Sequence, residues 1–475
     1  MVDTENGGGV NPHAIVRIAV DKLFGQFTYE LPTRDDPADV SALFLLYGDN
    51  GSGKTTILNM LFRLLSHVDG KDHKSYLTKI PFRRFSVELA GGIKVDAVRE
   101  HDKLDGPYSA TIYRGADKLE RVEFPNIGPE SDEEERKARS LNFLGTLEGL
   151  KLGLHLLPDN RRIQGGIADD PRFAIRRVTS WHTTEFVYGF EPGDPEEAEE
   201  RQELKSAVDR AARWIRQQAY TGSNAGQKNV NAMYTEIAQS IAASPTDATD
   251  DIQKKMDELV VKLEGLSKKS EAYAQYGLIS ELAVEKLNQA LGGKVSLGNA
   301  QIMYTVISPY VRSIEAQLKA LEGIHGVVNT FVENLNKFFA GSKTVTYDLR
   351  KGFTVRSKAR GKLDLDMLSS GEKHLMNLMC NTLVARDKPS ILIIDEPEIS
   401  LNIKWQRRLI RALLDCIKGS SVQLVFATHS IELLAQHKDH VIRLVNLEEQ
   451  AAHGASKAGI NGRRAEDDTR VDSEV

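Results

Sequence analysis

With 475 residues, 41% of them hydrophobic and 27% charged, the chain has room for two or three folded domains of ordinary composition. Its net charge of −5 provides no overall attraction to nucleic acid or to an acidic membrane, so DNA binding would require a local basic face. Cys380 and Cys416 lack the spacing of zinc ligands or of a disulfide framework. With no secretory pattern and no run of about 18 apolar residues, the sequence predicts a cytoplasmic protein without a membrane span.

The N-terminal part of the chain has strand patterns on both sides of a glycine-rich loop. After a start over residues 1–13 that is predicted to be flexible, β-branched and aromatic residues alternate with polar ones over residues 15–20 and 26–31. Residues 42–47 are a continuous apolar run, which is typical of a strand buried on both faces of a sheet. A helix with one apolar side is predicted over residues 56–65, just after the loop.

Strand patterns continue toward residue 157. The predicted strands cover residues 85–89, 93–98, 110–113 and 152–157. The acidic stretch 125–136 is predicted to be a surface loop. Residues 14–190 are therefore interpreted as the N-terminal lobe of an α/β domain.

Residues 191–340 are charged and favour helices, which predicts a helical insertion. Apolar positions recur at spacings of three and four in two stripes, formed by Ile252, Met256, Leu259, Leu263 and Leu266, and by Ile314, Leu318, Leu321, His325, Val328, Val332, Leu335 and Phe339. The stripes fit the core faces of an ordinary helical domain or a short coiled coil. Gly323 and Gly326 interrupt the second stripe and argue against a long coiled coil.

Strand character returns over residues 341–445, which are interpreted as a C-terminal lobe. A hairpin is predicted over residues 344–356, and the further predicted strands cover residues 391–394, 422–427 and 440–444. Residues 446–475 have few large apolar groups and are predicted to be a disordered tail, because they cannot bury enough surface to offset the entropy of ordering.

The loop from Gly48 to Thr55 reads G-D-N-G-S-G-K-T and matches the phosphate-binding pattern G-x-x-x-x-G-K-[ST]. Glycines there let backbone N–H groups surround phosphate oxygens at the start of a helix, which attracts anions. The residues expected to hold ATP are Gly48, Asn50, Gly51, Gly53, Lys54, Thr55 and Thr56. Among them, Lys54 is expected to bridge the β- and γ-phosphates, Thr55 to ligate Mg²⁺, and Thr56 to reach the α-phosphate.

Two further strand ends carry polar groups with matching chemistry. Asp395 and Glu396 follow four apolar β-formers, and the carboxyl end of a buried strand is where α/β sheets bind ligands. Asp395 is expected to hold Mg²⁺, and Glu396 to orient the attacking water as the catalytic carboxylate. His429 follows the strand at 422–427 and is expected to sense the γ-phosphate.

Residues 368–373 read L-S-S-G-E-K and open a helix rich in leucine and methionine. Here the sequence resembles the ABC ATPase superfamily, whose signature has the form L-S-G-G-Q, and the order of the motifs also matches. Ser370 replaces the first signature glycine and Glu372 the glutamine, as in the SMC and OLD-type branches. The resemblance implies that Ser369, Ser370 and Gly371 bind the γ-phosphate of ATP held by a second protomer, in a head-to-tail homodimer with two composite sites.

The run D-E-P-E-I-S-L at residues 395–401, together with Thr428-His429-Ser430, is most similar to OLD-type ATPases of bacterial antiphage defence, among them the PARIS and Septu ATPase subunits. The resemblance implies an ABC-ATPase head with an antiparallel lobe and a helical insertion, acting as a sensor or scaffold. OLD nucleases add a TOPRIM domain after the ATPase, and residues 446–475 are too few and too polar for one. A separate nuclease or toxin is therefore expected as the effector.

Two other functions are compatible with parts of the sequence. A DNA-repair or chromosome-organising ATPase would clamp DNA through basic clusters such as Arg161-Arg162 and Arg407-Arg408-Arg411, although such clusters are often ion-paired surface residues. A transporter energy subunit is disfavoured by the long insertion between Lys54 and the signature.

Overall fold

The computed structural model describes residues 11–33, 41–68, 73–100, 103–125, 133–159, 163–165, 195–243, 252–282 and 297–448. Its contacts group the chain into two units, one formed by Met1–Glu203 with Asn381–Val475 and the other by Leu204–Cys380. Several predictions fall outside the described residues: most of the predicted flexible start, most of the predicted tail, the predicted border near residue 190 and the pair Arg161-Arg162. The predicted domain borders stay predictions.

The β-strands divide between the two ends of the chain. In chain order they are β1 (Ile15–Leu23), β2 (Phe27–Leu31), β3 (Leu43–Tyr47), β4 (Arg84–Leu89), β5 (Ile93–Val98), β6 (Tyr108–Arg114), β7 (Asp117–Phe124), β8 (Gly153–Leu157), β9 (Gln164–Gly165), β10 (Lys343–Asp348), β11 (Gly352–Ser357), β12 (Gly361–Leu363), β13 (Ser390–Asp395), β14 (Val422–Thr428) and β15 (Val441–Arg443).

The α-helices include three long ones between β9 and β10. In chain order they are α1 (Lys54–Leu65), α2 (His73–Thr78), α3 (Glu133–Gly149), α4 (Pro195–Ala243), α5 (Ile252–Ala274), α6 (Leu297–Phe339), α7 (Ser370–Val384), α8 (Ile403–Ile417) and α9 (Ile431–Leu434). Within the described part of the chain, no helix combines the length and the apolar character that a membrane span requires.

The first unit contains an antiparallel sheet of order β2-β1-β4-β5-β6-β7 and a second sheet of order β15-β3-β14-β13-β8-β9. In the second sheet all pairs are parallel except β8 with β9. The prediction of a mixed α/β fold with an antiparallel lobe is therefore confirmed. Because β3, β13 and β14 run in one direction, their carboxyl ends meet at one edge of the sheet.

The core of the first unit joins both sheets through α1. Alternate residues of the parallel strands, such as Leu46, Ile393 and Val425, belong to one buried cluster with Ile57 and Leu61 of α1. Each fully buried side chain of this size contributes about 1.5–3 kcal/mol relative to an exposed one. The helix that follows the glycine-rich loop is thus held in place by the same core that aligns the strands.

One predicted loop in the first unit is partly wrong. Residues 125–136 are predicted to be a surface loop, but α3 already begins at Glu133. Glu133, Glu134 and Glu135 lie in its first turn, where the helix dipole stabilises carboxylates. The acidic stretch is therefore in part a helix start.

The second unit contains α5, α6 and the antiparallel sheet β10-β11-β12. The members of the two predicted stripes are buried, apart from a partly exposed His325, and α5 packs on α6. The expectation that Gly323 and Gly326 interrupt the second stripe is wrong, since α6 continues through both. Each glycine costs a helix only about 1 kcal/mol, which the packing offsets. A coiled coil stays a prediction.

Lys74 of α2 completes the C-terminus of α1, where the last carbonyl groups have no partner within the helix. Its ammonium group is buried and donates hydrogen bonds to the carbonyl oxygens of Arg63 (2.8 Å), Leu64 and Ser66 (2.9 Å). Burial lowers the pKa of Lys74 to about 7. A single side chain therefore satisfies three acceptors at the end of the loop-bearing helix.

We expect Lys74→Met to lower the free energy of unfolding by about 2–4 kcal/mol, because it leaves buried carbonyl groups without donors. Urea unfolding followed by circular dichroism measures the change. The control is Lys137→Met in α3. Lys137 is exposed and pairs with Glu133 (2.6 Å), so its loss is expected to change stability by less than about 0.5 kcal/mol. Equal effects of the two substitutions would contradict the role of Lys74.

Candidate functional site

The glycine-rich loop lies between β3 and α1, as predicted. Gly51 and Gly53 have φ angles of 81° and 87°, which residues with a side chain adopt only with strain. Gly53 precedes α1, and no side chain caps the first turn of that helix. The backbone N–H groups at the start of α1 are thus available to an anion.

Lys54 lies within this loop. Its ammonium group donates hydrogen bonds to the carbonyl oxygens of Gly48 (2.8 Å) and Asp49 (3.0 Å), and the residue is only 5% exposed. Asn50 and Gly51 form the exposed outer part of the loop, while Thr55 and Thr56 lie in the first turn of α1. All of the predicted loop residues therefore belong to one short segment with a positive charge at its centre.

The hairpin between β1 and β2 supports the loop from the side, which the sequence did not reveal. The Tyr29 hydroxyl donates to the carbonyl oxygen of Ser52 (3.1 Å). A Cβ atom at Gly53 would lie 2.8 Å from Cδ2 of Leu23, and this contact together with the φ angle of 87° favours glycine there. Phe24, at the hairpin tip, is 41% exposed and lies 3.6 Å from the same position. An exposed aromatic ring thus stands beside the phosphate-binding loop.

Asp395 ends β13 close to the start of α1. It is 3% exposed, and neither carboxylate oxygen has a hydrogen bond of standard geometry within the described residues. Burial raises its pKa to about 6, while the Thr55 hydroxyl and the Lys54 ammonium lower it in part. Asp159, which follows β8, raises it further. Unpartnered carboxylate oxygens beside a hydroxyl are the oxygen ligands that Mg²⁺ prefers, so Asp395 and Thr55 fit that ion.

Glu396 and His429 are brought together from adjacent strand ends. Nδ1 of His429 lies 2.6 Å from Oε2 of Glu396, and the imidazole ring is half-exposed. Burial and the carboxylate of Glu398 raise the pKa of Glu396 to about 7, and His429 lowers it in part. Glu396 and Ser400 also have left-handed backbones, with φ angles of 47° and 64°. Strained backbone of this kind concentrates at functional sites.

Glu398 is a member of this cluster to which the sequence assigned no role. It is 5% exposed, and its Oε1 accepts hydrogen bonds from the Thr428 hydroxyl and from the N–H groups of His429 (3.3 Å) and Ser430 (3.2 Å). Donor atoms of Glu396, Glu398 and His429 lie within 4.8 Å of one another, a spacing that a metal ion could use. However, Oε1 of Glu398 already accepts three hydrogen bonds, and Nδ1 of His429 already contacts Glu396. We therefore interpret the cluster as a hydrogen-bond network rather than as a metal site.

The signature residues lie in the second unit, at the start of α7. The N–H of Ser369 donates to Oε2 of Glu372 (2.7 Å), and the N–H of Glu372 donates to Oγ of Ser369 (3.4 Å). This reciprocal pair is a capping box, and Lys343 forms an ion pair with Glu372 (2.5 Å). Ser369 and Ser370 are exposed. The glutamate in place of the signature glutamine thus caps a helix at whose start Ser369 and Ser370 are exposed, while Gly371 is buried.

The remaining predicted residues have plainer surroundings. In the cluster on α8, Arg407 pairs with Glu432 (3.8 Å) and Arg411 with Asp415 (3.2 Å), as exposed surface residues often do, and a DNA-binding face there stays a prediction. Asn402 caps α8 by accepting a hydrogen bond from the N–H of Trp405 (3.1 Å).

More than half of the chain matches a known protein family. The family described as "AAA domain, putative AbiEii toxin, Type IV TA system" (AAA_21) matches residues 159–435. The matched segment contains Asp395, Glu396 and His429 and begins after the phosphate-binding loop. A comparison with curated proteins gives no match.

Among solved structures, the chain is similar to an Smc head domain with an extended coiled coil bound to the C-terminal domain of ScpA, derived from Pyrococcus furiosus. The identity is 13%, the TM-score is 0.38, and 94% of this chain and 99% of that chain are covered. For an SmcHead bound to the C-winged helix domain of ScpA, the identity is 12%, the TM-score is 0.36, and the coverage is 92% and 99%. The fold assignment rests on the strand order and the family match.

We expect Asp395→Asn to raise the free energy of unfolding by about 1–3 kcal/mol at pH 8 in buffer without metal or nucleotide. The raised pKa means that the folded protein holds this proton more tightly than the unfolded chain. The wild type therefore loses stability as the pH rises from 3.8 to about 6, and the variant does not. Urea unfolding at both ends of this range measures the difference. A gain that is equal at about pH 4 and pH 8 would contradict the argument, and Asp415→Asn on α8 is the control.

Proposed function

This chain belongs to the AAA_21 family of AAA domains, and from that premise we propose that it binds ATP with Mg²⁺ and hydrolyses it. One observation carries the proposal, namely the convergence of Lys54, Asp395 and the Glu396–His429 pair at one edge of the parallel sheet. Phosphoryl transfer depends on positioning and charge rather than on covalent help, and this edge provides both.

Each residue of the cluster has a role in the proposed reaction. The loop backbone and Lys54 bind the phosphates, and Mg²⁺, held by Thr55 and Asp395, would neutralise charge that develops on them. Glu396 orients and polarises the attacking water, since its raised pKa suits it to accept a proton near neutral pH. His429 steadies the Glu396 carboxylate from 2.6 Å away and contacts the γ-phosphate. Phe24, exposed beside Gly53, offers a stacking surface for the adenine ring.

The signature residues complete the site from a second copy of the chain. Support comes from the outward-facing Ser369 and Ser370 at the start of α7, because helix N-termini attract phosphate. In a head-to-tail homodimer each ATP would then lie between the loop of one protomer and the signature of the other. Hydrolysis would consequently report that two copies have assembled.

The finer proposal is a switch that controls a separate effector, a nuclease or a toxin, in bacterial antiphage defence. The family description names a toxin of a toxin–antitoxin system, which fits an activity shared between two proteins. In this proposal ATP closes the dimer, hydrolysis resets it, and the second unit passes the change to the effector. Protection of cells by this chain without its gene neighbour would contradict it.

Glu396→Gln tests the catalytic assignment. The amide cannot accept a proton from water, so kcat is expected to fall at least about 100-fold, while the ATP dissociation constant changes less than about threefold. Phosphate release and a nucleotide-binding titration measure these values, and light scattering should show an ATP-stabilised dimer. The control variant is Glu432→Gln, which changes a partly exposed glutamate of α9. Hydrolysis by Glu396→Gln at the wild-type rate would remove Glu396 from its role.

Mixing two inactive variants tests the composite sites. Lys54→Ala and Ser369→Arg damage opposite halves, so a hybrid dimer retains one intact site, and an equal mixture should recover about a quarter of the wild-type rate. Lys54→Ala mixed with Asp395→Asn is the matched control, because both changes lie in the same half and no hybrid regains a complete site. Equal rates in the two mixtures would exclude sites shared between protomers.

A further inference from the structure

Glu398 lies in the turn after β13 and has no part in the reaction described above. Its buried carboxylate points from the end of β13 to the end of the neighbouring strand β14. There Oε1 collects three donors, the hydroxyl of Thr428 and the N–H groups of His429 (3.3 Å) and Ser430 (3.2 Å). Three successive residues around the histidine are thus fixed by one oxygen atom.

A second set of hydrogen bonds holds residues 428–430 through the side chain of Ser430. The Ser430 hydroxyl donates to Oε1 of Gln406 (2.9 Å), and Nε2 of Gln406 donates to the carbonyl oxygen of Leu401 (2.9 Å). The N–H of Leu401 in turn donates to the carbonyl oxygen of Glu398 (3.0 Å). Glu398, Ser430, Gln406 and Leu401 therefore form a closed ring of hydrogen bonds around the strand ends.

The ring of hydrogen bonds restricts the position of His429. The backbone N–H of His429 is bound to Glu398, and its Nδ1 lies 2.6 Å from Oε2 of Glu396 and 3.6 Å from Oε1 of Glu398. The imidazole ring is half-exposed, so burial alone does not fix it. Without Glu398, the segment would keep the contacts of Ser430 with Gln406, Thr428 and Leu433 and that of His429 with Glu396. The backbone N–H of His429, however, would lose the acceptor that Glu398 provides.

We propose that Glu398 is a positioning residue for ATP hydrolysis, which holds the backbone of His429 so that the imidazole stays against Glu396. The inference rests on the proposed function, because it assigns Glu398 to the same reaction. The ring further joins the histidine to residues 398–402, the segment that leads into α8. A displacement of that segment would therefore reach the Glu396–His429 pair directly.

Two substitutions at position 398 separate this role from that of a simple buried acid. Glu398→Ala removes the acceptor and is expected to lower kcat about 10- to 100-fold, with the ATP dissociation constant within about threefold of wild type, because the loop at Gly48 to Thr55 is untouched. Glu398→Gln keeps an acceptor oxygen and is expected to stay within about fivefold of the wild-type kcat. Glu432→Gln is the control. Equal losses in the alanine and glutamine variants would overturn the positioning role.

A double-substitution cycle with His429 gives the decisive test. If Glu398 acts through the histidine, Glu398→Ala should lower kcat less than about threefold in a His429→Ala background. A loss as large as that in the wild type would show that Glu398 acts independently, and would overturn the proposal. Thr428→Val and Thr428→Ser provide the same test should Glu398→Ala fail to fold, because only the valine variant removes a donor to Oε1 and should lose activity.

Failure of the inference and failure of the proposed function give different results. A wild-type chain that hydrolyses no ATP, or a Glu396→Gln variant that hydrolyses it normally, contradicts the function itself. An active wild type and an inactive Glu396→Gln variant, together with a fully active Glu398→Ala variant, contradict only the role of Glu398.

Discussion

The parallel register of β3, β14 and β13 is the constraint on which the candidate site depends. Thr428 pairs with Tyr47 and Asp395 with Ala427, so the three strands end at nearly the same level. A slip by one residue would turn every side chain to the opposite face and disrupt the packing of a sheet that is buried on both sides. Hydrophobic packing of the strands therefore determines where the glycine-rich loop, the acidic pair and the histidine lie along the sheet edge. Contacts among these groups are not needed to align them.

The site that results is crowded with negative charge. Burial raises the pKa of Asp395 and of Glu396. The carboxylates of Asp159 and Glu398 add to the rise at Asp395, and that of Glu398 adds to the rise at Glu396, while the Lys54 ammonium lowers the pKa of Asp395 in part. Such a site is poorly stable by itself and favours a cation such as Mg²⁺, whose charge offsets that of the carboxylates. Two other carboxylates have structural roles. Glu398 accepts hydrogen bonds at the end of β14, and Glu372 caps the signature helix α7.

Much of this architecture could be predicted from the sequence, because buried parallel strands read as uninterrupted apolar runs and the loop pattern is specific. What was missed depends on tertiary contacts. The start of α3 is hidden in an acidic stretch, and the continuation of α6 through Gly323 depends on packing that propensity does not report. Glu398 could not be separated from its neighbours in the sequence, since its role comes from a strand about 30 positions away.

The left-handed backbone of Glu396 has an evolutionary consequence. Asparagine and glycine adopt a φ of 47° with less strain, so the fold alone disfavours a glutamate at this position. Under the proposed role, selection for ATP hydrolysis would keep the glutamate at position 396. In a lineage whose chain had kept assembly but abandoned turnover, this position is expected to drift first, toward the residues that the backbone prefers. The residue type at position 396 would then distinguish family members that hydrolyse ATP from those that only assemble.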